Sequence, residues 1–477
     1  MKILMASSEA QPFAKTGGLA DAVSALSKTL SEMGHDVKVI IPRYYGIDRS
    51  KLDLFKKNAA VSTGFENVSV DFYRKGIFYF ADFEPAFGRD GIYSDKNGKD
   101  FPDNAWRFGV FARASLEFCK CQNWIPDVIH IHDWASAIIP VLVKFTEKEN
   151  FPETKTIITI HNLGYQGIFS EGTFSSLGLP ENIRFPSGLA HYNTINFLKA
   201  GIISSDLLST VSQTYAEEIQ SPAQGFGLDG ILRMKKHLLK GILNGADLSE
   251  WNPSTDRYIP FHYSQENMGG KAECKIALQK HFGLEENPDI PVIGMIGRLV
   301  SQKGIDELFA PLYGCMYRLC SERKAQFVLI GSGESWCQNE INTLTEKLPN
   351  FKTFIGYSEK LSHLVEAGSD FFLMPSKYEP CGLNQIYSML YGTLPIVHKT
   401  GGLADTVINF GEDPENATGF TFNDLTPEAV FNTVKWALEV YGDKNAIKKM
   451  QKNGMTKDFS WKKSAEKYLE LYKENQD

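Results

Sequence analysis

The chain has 477 residues, with 50 Lys and Arg against 57 Asp and Glu, a net charge of −7. At roughly 150 residues per domain this length predicts about three domains or two large ones. Hydrophobic residues make up 43% and charged residues 22%. That composition excludes disordered, collagen-like and coiled-coil classes, and the negative balance argues against a dedicated nucleic-acid binder.

The apolar run at the N-terminus, Met1–Ala6, is too short for a signal-peptide core and is closed by Ser7, Ser8 and Glu9. No run approaches the ~18 apolar residues that span a bilayer. The expectation is a cytoplasmic protein with no membrane partner. Cys119 and Cys121 form a CxC, and the other five cysteines are scattered. Without a CxxC pair a structural zinc site is not expected, and free thiols suit a reducing compartment.

Short apolar, β-branched runs recur along the chain. The first series is Ile3–Ala6, Val37–Ile41, Val128–Ile131, Thr156–Ile160 and Leu207–Val211. The second is Val292–Ile296, Phe327–Ile330, Thr353–Ile355, Phe371–Met374 and Pro395–Val397. Most lack polar alternation, as buried parallel strands do. Helical spacing lies between them: after Gly18 the stripe Leu19, Val23, Leu26, Leu30 predicts an amphipathic helix. Alternating strands and helices mean a doubly wound α/β architecture. Residues 240–290 separate the two series and carry Asn244-Gly245, Asn252-Pro253, Gly269-Gly270 and Asn287-Pro288. This reads as a boundary, with a hinge near Leu243–Asn252. The tail after Ser460 reads as a solvated helix anchored by Trp461.

Four segments carry chemistry. The string Lys15-Thr16-Gly17-Gly18-Leu19-Ala20-Asp21 recurs as Lys399–Asp405. A Gly-Gly turn that opens a helix, with a lysine beside it, fits a phosphate; the repeat suggests two related halves with the same turn above a strand. Next, Gly297–Gly304 holds Arg298 and Lys303 just past the strand Val292–Ile296. Two such cations can grip a diphosphate leaving group without a metal, and no Asp-x-Asp string is present to hold one. Third, Tyr378–Gln385 follows Phe371–Pro375: Glu379 can accept from sugar hydroxyls, and the amides of Cys381, Gly382 and Leu383 lie at a helix start. Fourth, His130, His132, Asp133 and Trp134, with His161 and Asn162, read as strand-end groups lining a cleft, or else as satisfied structural histidines. An HxH also occurs in metal-dependent hydrolases, but here it follows a full α/β unit. Asn104 and Arg107 are further candidates for the cleft wall. Gly331-Ser332-Gly333 lacks the third glycine of a dinucleotide site.

Together these strings resemble the bacterial glycogen synthases and plant starch synthases, retaining glucosyltransferases of the ADP-glucose type. The matching runs are Lys15–Asp21, Asp103–Phe108, His132–Trp134, His161–Gly167, Leu243–Asp247, Gly297–Gly304, Pro375–Leu383 and Lys399–Leu403. They stand in the family's order over nearly the whole chain. The resemblance implies a GT-B fold: two Rossmann-like doubly wound domains, 1–243 on the acceptor side and 244–460 for the nucleotide sugar, facing a deep cleft. Residues 461–477 would cross back to the first domain as a helix. It implies metal-independent transfer of glucose, with retention and without a cofactor, from ADP-glucose to the non-reducing 4-hydroxyl of an α-1,4-glucan such as glycogen. UDP-glucose is the alternative donor.

Carried over by position, the resemblance makes His161, Arg298, Lys303 and Glu379 the catalytic set. Lys15 would contact the donor phosphates and Asp21 the ribose side, with Gly17, Gly18, Thr400 and Gly401 in the donor turns. Cys381, Gly382 and Leu383 would hold the glucose, Tyr357 would stack near the base, Asn244 would join the donor-binding set where it lines the cleft, and Asp133, Asn104 and Arg107 would line the cleft. One position departs from the family pattern: Ala135 stands where a second His is common after His-Asp-Trp, which puts acceptor handling in question. Two other readings share parts of this pattern, a sugar-nucleotide epimerase or other glycosyltransferase and a glucan-binding protein that has lost catalysis. Intact Lys15, Arg298, Lys303 and Glu379 argue against loss. The absence of a transit peptide favours the bacterial type.

Overall fold

Apolar strands without polar alternation need cover on both faces, and a parallel sheet with helices on either side supplies it. The computed structural model, which describes residues 1–311, 314–322 and 324–474, places the two series of runs in two separate sheets. The first unit comprises Met1–Gly245 together with the segment from Trp461 onward, and the second is Ala246–Ser460. The last three residues of the predicted segment 461–477 lie outside the described residues.

The first unit's sheet has nine strands. Its parallel members in chain order are Lys2–Ala6, Asp36–Pro42, Phe78–Asp82, Val128–His132, Lys155–Ile160, Leu207–Thr210 and Leu239–Gly241, arranged 3-2-1-4-5-6-7. The second unit's sheet is Val292–Leu299, Gln326–Gly333, Phe351–Ile355, Phe371–Met374, Leu394–His398 and Phe420–Phe422, all parallel and ordered 3-2-1-4-5-6. Both sheets therefore reverse their winding between strands one and four, where open α/β sheets bind ligands.

Several elements escape a reading by pattern. Asp53–Ser62 and Asn67–Lys75 extend the first sheet as an antiparallel edge pair; the former is mostly exposed and rich in charge, so it has no apolar run to notice. A small antiparallel sheet joins Ile168–Ser170, Ala190–His191 and Thr194–Asn196. Gly269 and Gly270, expected in a connection, instead open the helix Gly269–Phe282. Its inward positions Lys271, Cys274, Lys275 and Leu278 have helical spacing, but two of the four are lysines, which hides the stripe. Lys271 Nζ donates to the Ala367 carbonyl and Thr393 Oγ1, and Lys275 Nζ pairs with Asp370 at 2.8 Å. The predicted helix after Gly18 spans Gly18–Glu32 and buries Leu19, Val23, Leu26 and Leu30.

The tail and the connection are more firmly held than expected. The terminal helix Trp461–Lys473 is amphipathic rather than solvated, and it buries Trp461, Ala465, Tyr468 and Tyr472 in the first unit's core. Tyr472 Oη lies 2.8 Å from His130 Nδ1, and Ser464 Oγ donates to the Leu243 carbonyl at 2.6 Å. Of the predicted hinge Leu243–Asn252, Trp251 is fixed to the second unit, stacked on both His363 and Tyr387 at 3.8 Å. Asp256 Oδ2 accepts from His363 Nδ1 at 2.7 Å and from the Tyr391 hydroxyl at 2.6 Å. Among the described residues no helix is long and apolar enough to cross a membrane.

The buried histidines make the two units respond to pH from opposite sides. Burial holds His130 and His161 down to about 3. Their contribution to stability is complete above the ordinary histidine value of 6.5 and is lost as pH falls toward 3. Burial would also lower His363, but the Asp256 and Glu359 carboxylates outweigh it and raise the imidazole to about 9. That contribution is complete below 6.5 and is lost as pH rises through 9. Thermal unfolding followed across this range should show stability falling on both limbs. His363→Gln should flatten the alkaline limb and leave the acid limb in place.

Candidate active site

The second unit opens where its strands part. Val292–Leu299 pairs with Gln326–Gly333 along its whole length, from Val292 opposite Gln326 to Leu299 opposite Gly333. With Phe371–Met374 it pairs only at Ile293–Phe371 and Gly294–Phe372. Beyond Gly294 the two strands separate, and a crevice of about 130 Å³ opens between Met295–Ile296 and Leu373–Met374. Asn384 Nδ2 reaches across it to the Ile296 carbonyl at 2.9 Å. Arg298, Lys303, Glu379, Gly382 and Leu383 line it. Gly297 and Arg298 belong to the strand itself, which runs on to Leu299, instead of following it as expected. The Gly331–Gly333 string is likewise the end of a strand.

Lys303 and Glu379, predicted to serve phosphate and sugar respectively, hold each other. Nζ lies 2.5 Å from Oε2, and Ser376 Oγ donates to the same oxygen at 3.0 Å. The turn carrying Lys303 is fastened to the Pro375–Glu379 loop. Lys377 Nζ contacts Ser301 Oγ at 2.6 Å and Asp306 Oδ2 at 2.7 Å, and its N–H donates to the Gln302 carbonyl at 2.9 Å. Gly304 closes this turn with φ +75°, and a Cβ there would stand 1.9 Å from the Pro375 carbonyl oxygen. Only glycine meets both conditions without displacing the loop.

The remaining candidates of this unit divide. Arg298 is exposed and makes a 3.5 Å contact to Gln302 Oε1, too long to hold it. Cys381, Gly382 and Leu383 lead directly into the helix Asn384–Leu390, with Leu383 as its N-cap. Tyr357 is 73% exposed beyond the strand Phe351–Ile355, its hydroxyl on Glu359. Thr400 and Gly401, expected in a donor turn, are buried. The Gly401–Gly402 pair packs on the backbone of Glu379 and Cys381, and the Gly402 N–H donates to the Glu379 carbonyl at 3.0 Å. The second copy of the repeat thus supports Glu379 from behind. The two copies also follow non-equivalent strands, the first strand of one sheet and the fifth of the other. The shared heptapeptide is therefore not a mark of two halves carrying the same turn.

In the first unit, Lys15 Nζ pairs with Asp21 Oδ1 at 2.8 Å. Lys15, Thr16, Gly17 and Gly18 are all exposed, and Gly17 is the helix N-cap. The Thr16 and Gly17 N–H groups donate to Glu9 Oε2, at 2.5 and 3.4 Å. At the ends of the next strands, His132 Nδ1 lies 3.1 Å from His161 Nε2. Among the described residues His132 Nε2 is buried with no hydrogen-bond partner. Asp133 adopts φ +55°, ψ −170°, a strained backbone for a residue other than glycine. Its Oδ1 accepts the His161 and Asn162 N–H groups. Burial pushes this carboxyl up to about 7 against the pull of those N–H groups, and Glu9 adds to the rise.

Two expectations for this unit need correction. His130 and His132 are 0% and 1% exposed and so are core groups, not a wall. Arg107 is fully buried and Asn104 nearly so; they bond the Ala86, Ile92 and Tyr93 carbonyls and each other, so neither presents a side chain at an open surface. Ala135 is buried in the core as part of the turn Trp134–Ser136. Asn244 is buried as well, two residues ahead of the second unit's start at Ala246. Sequence reasoning missed Asn384, Ser376, Glu9 and Tyr93. Asn384 and Ser376 stood inside strings already singled out, whereas the Glu9–Tyr93 hydrogen bond joins residues far apart in the chain.

Comparison with known proteins shows the family. The family model described as the starch synthase catalytic domain matches residues 2–234, and that of glycosyl transferases group 1 matches residues 278–456. The chain is 53% identical over 480 residues to a glycogen synthase of Treponema denticola, covering 99% of this chain and 98% of that one. It is 42% identical to glycogen synthase 2 of Geobacter metallireducens, with the same coverage. Among solved structures, the catalytic domain of starch synthase IV from Arabidopsis thaliana bound to ADP and acarbose superposes with a TM-score of 0.88 at 31% identity, over 99% of this chain and 98% of that chain. A sucrose-phosphate synthase from Thermosynechococcus elongatus, at 17% identity and a TM-score of 0.63, shares the fold.

The Gly304 contact gives a direct check on the crevice. Gly304→Ala should displace the Lys303 turn from Pro375 and destabilise the second unit by about 1 kcal/mol or more. Thermal unfolding measures this, and an unchanged Tm would mean that the turn tolerates the added methyl group.

Proposed function

The chain belongs to the glycogen synthase and starch synthase family of GT-B glycosyltransferases, and from that premise we propose that it transfers glucose from ADP-glucose to the non-reducing 4-hydroxyl of an α-1,4-glucan with retention. The observation that carries this reading is the crevice at the second unit's switch point, lined by two cations and one carboxylate among its described residues. The nucleotide sugar is assigned to this unit and the glucan to the first.

Departure of the diphosphate builds negative charge on phosphate and positive charge on the anomeric carbon. Arg298 and Lys303 answer the first; fixed cations in a partly dry site stabilise such charge strongly. Lys303 is neutralised by Glu379 in the structure described here. A donor diphosphate would take over Lys303, and Glu379 would then turn its oxygen to the glucose hydroxyls, beside the Cys381, Gly382 and Leu383 amides. In the first unit Lys15 is assigned to donor phosphate and Asp21 to the ribose side, with their ion pair opened in the same way. Tyr357 offers an exposed ring for the base. His161, held neutral by burial, serves as a hydrogen-bonding group near the anomeric carbon and not as a cation. Asp133 fixes the His161 backbone.

A retaining double displacement needs a carboxylate nucleophile as well as an acid. With Glu379 committed to sugar hydroxyls, front-face attack with the leaving phosphate as base is the reading supported. Charge on the leaving group is met by side chains, so the reaction is assigned no metal.

Glucose incorporation into glycogen tests this, comparing ADP-glucose with UDP-glucose, with and without a chelator, for the native chain and Lys303→Ala. The expected result is chelator-insensitive transfer from ADP-glucose that falls about 10²-fold or more in the variant. Preference for UDP-glucose would overturn the donor assignment. No transfer from either donor, with glycogen binding intact, would overturn the transferase reading. A trapped covalent glucosyl–protein adduct would overturn front-face attack.

A further inference from the structure

Glu9 has no part in the roles above, yet it occupies the inside of the Lys15–Gly18 turn. It is 2% exposed. Its Oε2 accepts the Thr16 and Gly17 N–H groups. Its Oε1 accepts the Thr16 hydroxyl at 2.7 Å and the Tyr93 hydroxyl at 2.7 Å. Tyr93 Oη also shares a hydrogen bond with Ser8 Oγ at 2.6 Å. Tyr93 is itself tethered, because Asn104 Nδ2 donates to its carbonyl at 2.8 Å. Arg107 Nη1 donates to the preceding Ile92 carbonyl at 3.0 Å and to Asn104 Oδ1 at 2.6 Å.

A carboxylate beside an anion site has a cost. It repels a bound phosphate and takes two backbone donors that an anion would otherwise use. Its value must therefore lie in shape. Steric packing does not set this turn: Lys15 through Gly18 are exposed, and a Cβ built on Gly17 meets nothing within 4 Å. The bonds to Glu9 are what fix the backbone entering the helix Gly18–Glu32.

We propose that Glu9 is a positioning residue for donor phosphate: it moulds the Thr16–Gly17 backbone so that Lys15 and the start of the helix keep one geometry, and Tyr93, Asn104 and Arg107 hold Glu9 in place. This rests on the assignment of Lys15 to donor phosphate. It also gives the buried Asn104 and Arg107 a role at one remove from the ligand. Shape, not charge, is the requirement. A glutamine oxygen accepts the same two N–H groups, in weaker hydrogen bonds than a carboxylate makes, and its amide nitrogen can donate to the two hydroxyls once they rotate.

Steady-state kinetics and ADP titration on Glu9→Ala, Glu9→Gln and Tyr93→Phe, with Lys303→Ala as reference, test the inference. Glu9→Ala should raise the donor KM about tenfold or more and leave the glucan KM within about twofold. Glu9→Gln should bring the donor KM back to within about threefold of the native value. Tyr93→Phe should raise the donor KM severalfold with the same selectivity, and it keeps the test alive should Glu9→Ala fail to fold. Equal increases in both KM values, a lower Tm with an unchanged donor KM, or a Glu9→Gln as impaired as Glu9→Ala would each overturn the positioning role. If Lys303→Ala binds ADP and transfers glucose as the native chain does, the donor-site reading falls and this inference with it. If only the Glu9 and Tyr93 variants are silent, the donor-site reading stands and the inference alone falls.

Discussion

Two parallel strands that share two paired positions and then part are the constraint on which the candidate site depends. Val292–Leu299 keeps its full ladder on one edge with Gln326–Gly333, so it cannot follow Phe371–Met374 on the other. The backbone beyond Gly294 and Phe372 is left facing a gap at the sheet's carboxyl end. Lys303 and Glu379 reach that gap on the segments that follow these two strands, and Arg298 of the strand itself and Leu329 and Ile330 of the neighbouring strand line it with them. A sheet wound in one direction would leave no such opening, because successive crossovers would cover it.

The first unit repeats this logic with different residues. A cation follows the first strand of each parallel set, Lys15 in one and Lys303 in the other, and Arg298 lies within the second of these strands. A carboxylate follows the fourth, Asp133 in one and Glu379 in the other. Two of these cations are held by carboxylates of their own unit, Lys15 by Asp21 and Lys303 by Glu379. The Lys15 pair is partly exposed and contributes about 0–1 kcal/mol, so it opens readily. The Lys303 pair is more enclosed, with Glu379 at 9% side-chain exposure. Taking Lys303 away strands a buried carboxylate, which then needs new donors, and sugar hydroxyls are donors of that kind.

Both chain connections are secured by histidine. The terminal helix is fastened to the first unit through Tyr472 and His130. The connecting segment is fastened to the second through Trp251, His363 and Asp256. The protonation differs because the partners differ. His130 faces the neutral hydroxyls of Thr159 and Tyr472 and stays neutral. His363 faces carboxylates and stays charged. Burial pushes both in one direction, and the charge of the neighbour decides the outcome.

The alternation of unbroken apolar runs with helical stripes was enough to determine two doubly wound α/β units. Buried parallel strands must be apolar on both faces, and that need is written locally. Gly-bounded strings likewise marked Lys15, Lys303 and Glu379, because a backbone that approaches a ligand or makes a sharp turn demands glycine at fixed spacing. Where inward positions were lysines, as in Gly269–Phe282, the pattern was silent, since their charges are satisfied by carbonyls and carboxylates remote in sequence. Pattern alone also could not separate the two copies of one heptapeptide. Tertiary structure decided that one stands exposed around Glu9 and that the other is packed behind Glu379. It decided too that Arg107 and Asn104 turn inward to hold Tyr93. Hydrogen bonds and ion pairs between distant segments are set by which strand ends the winding brings together, and no local spacing encodes that.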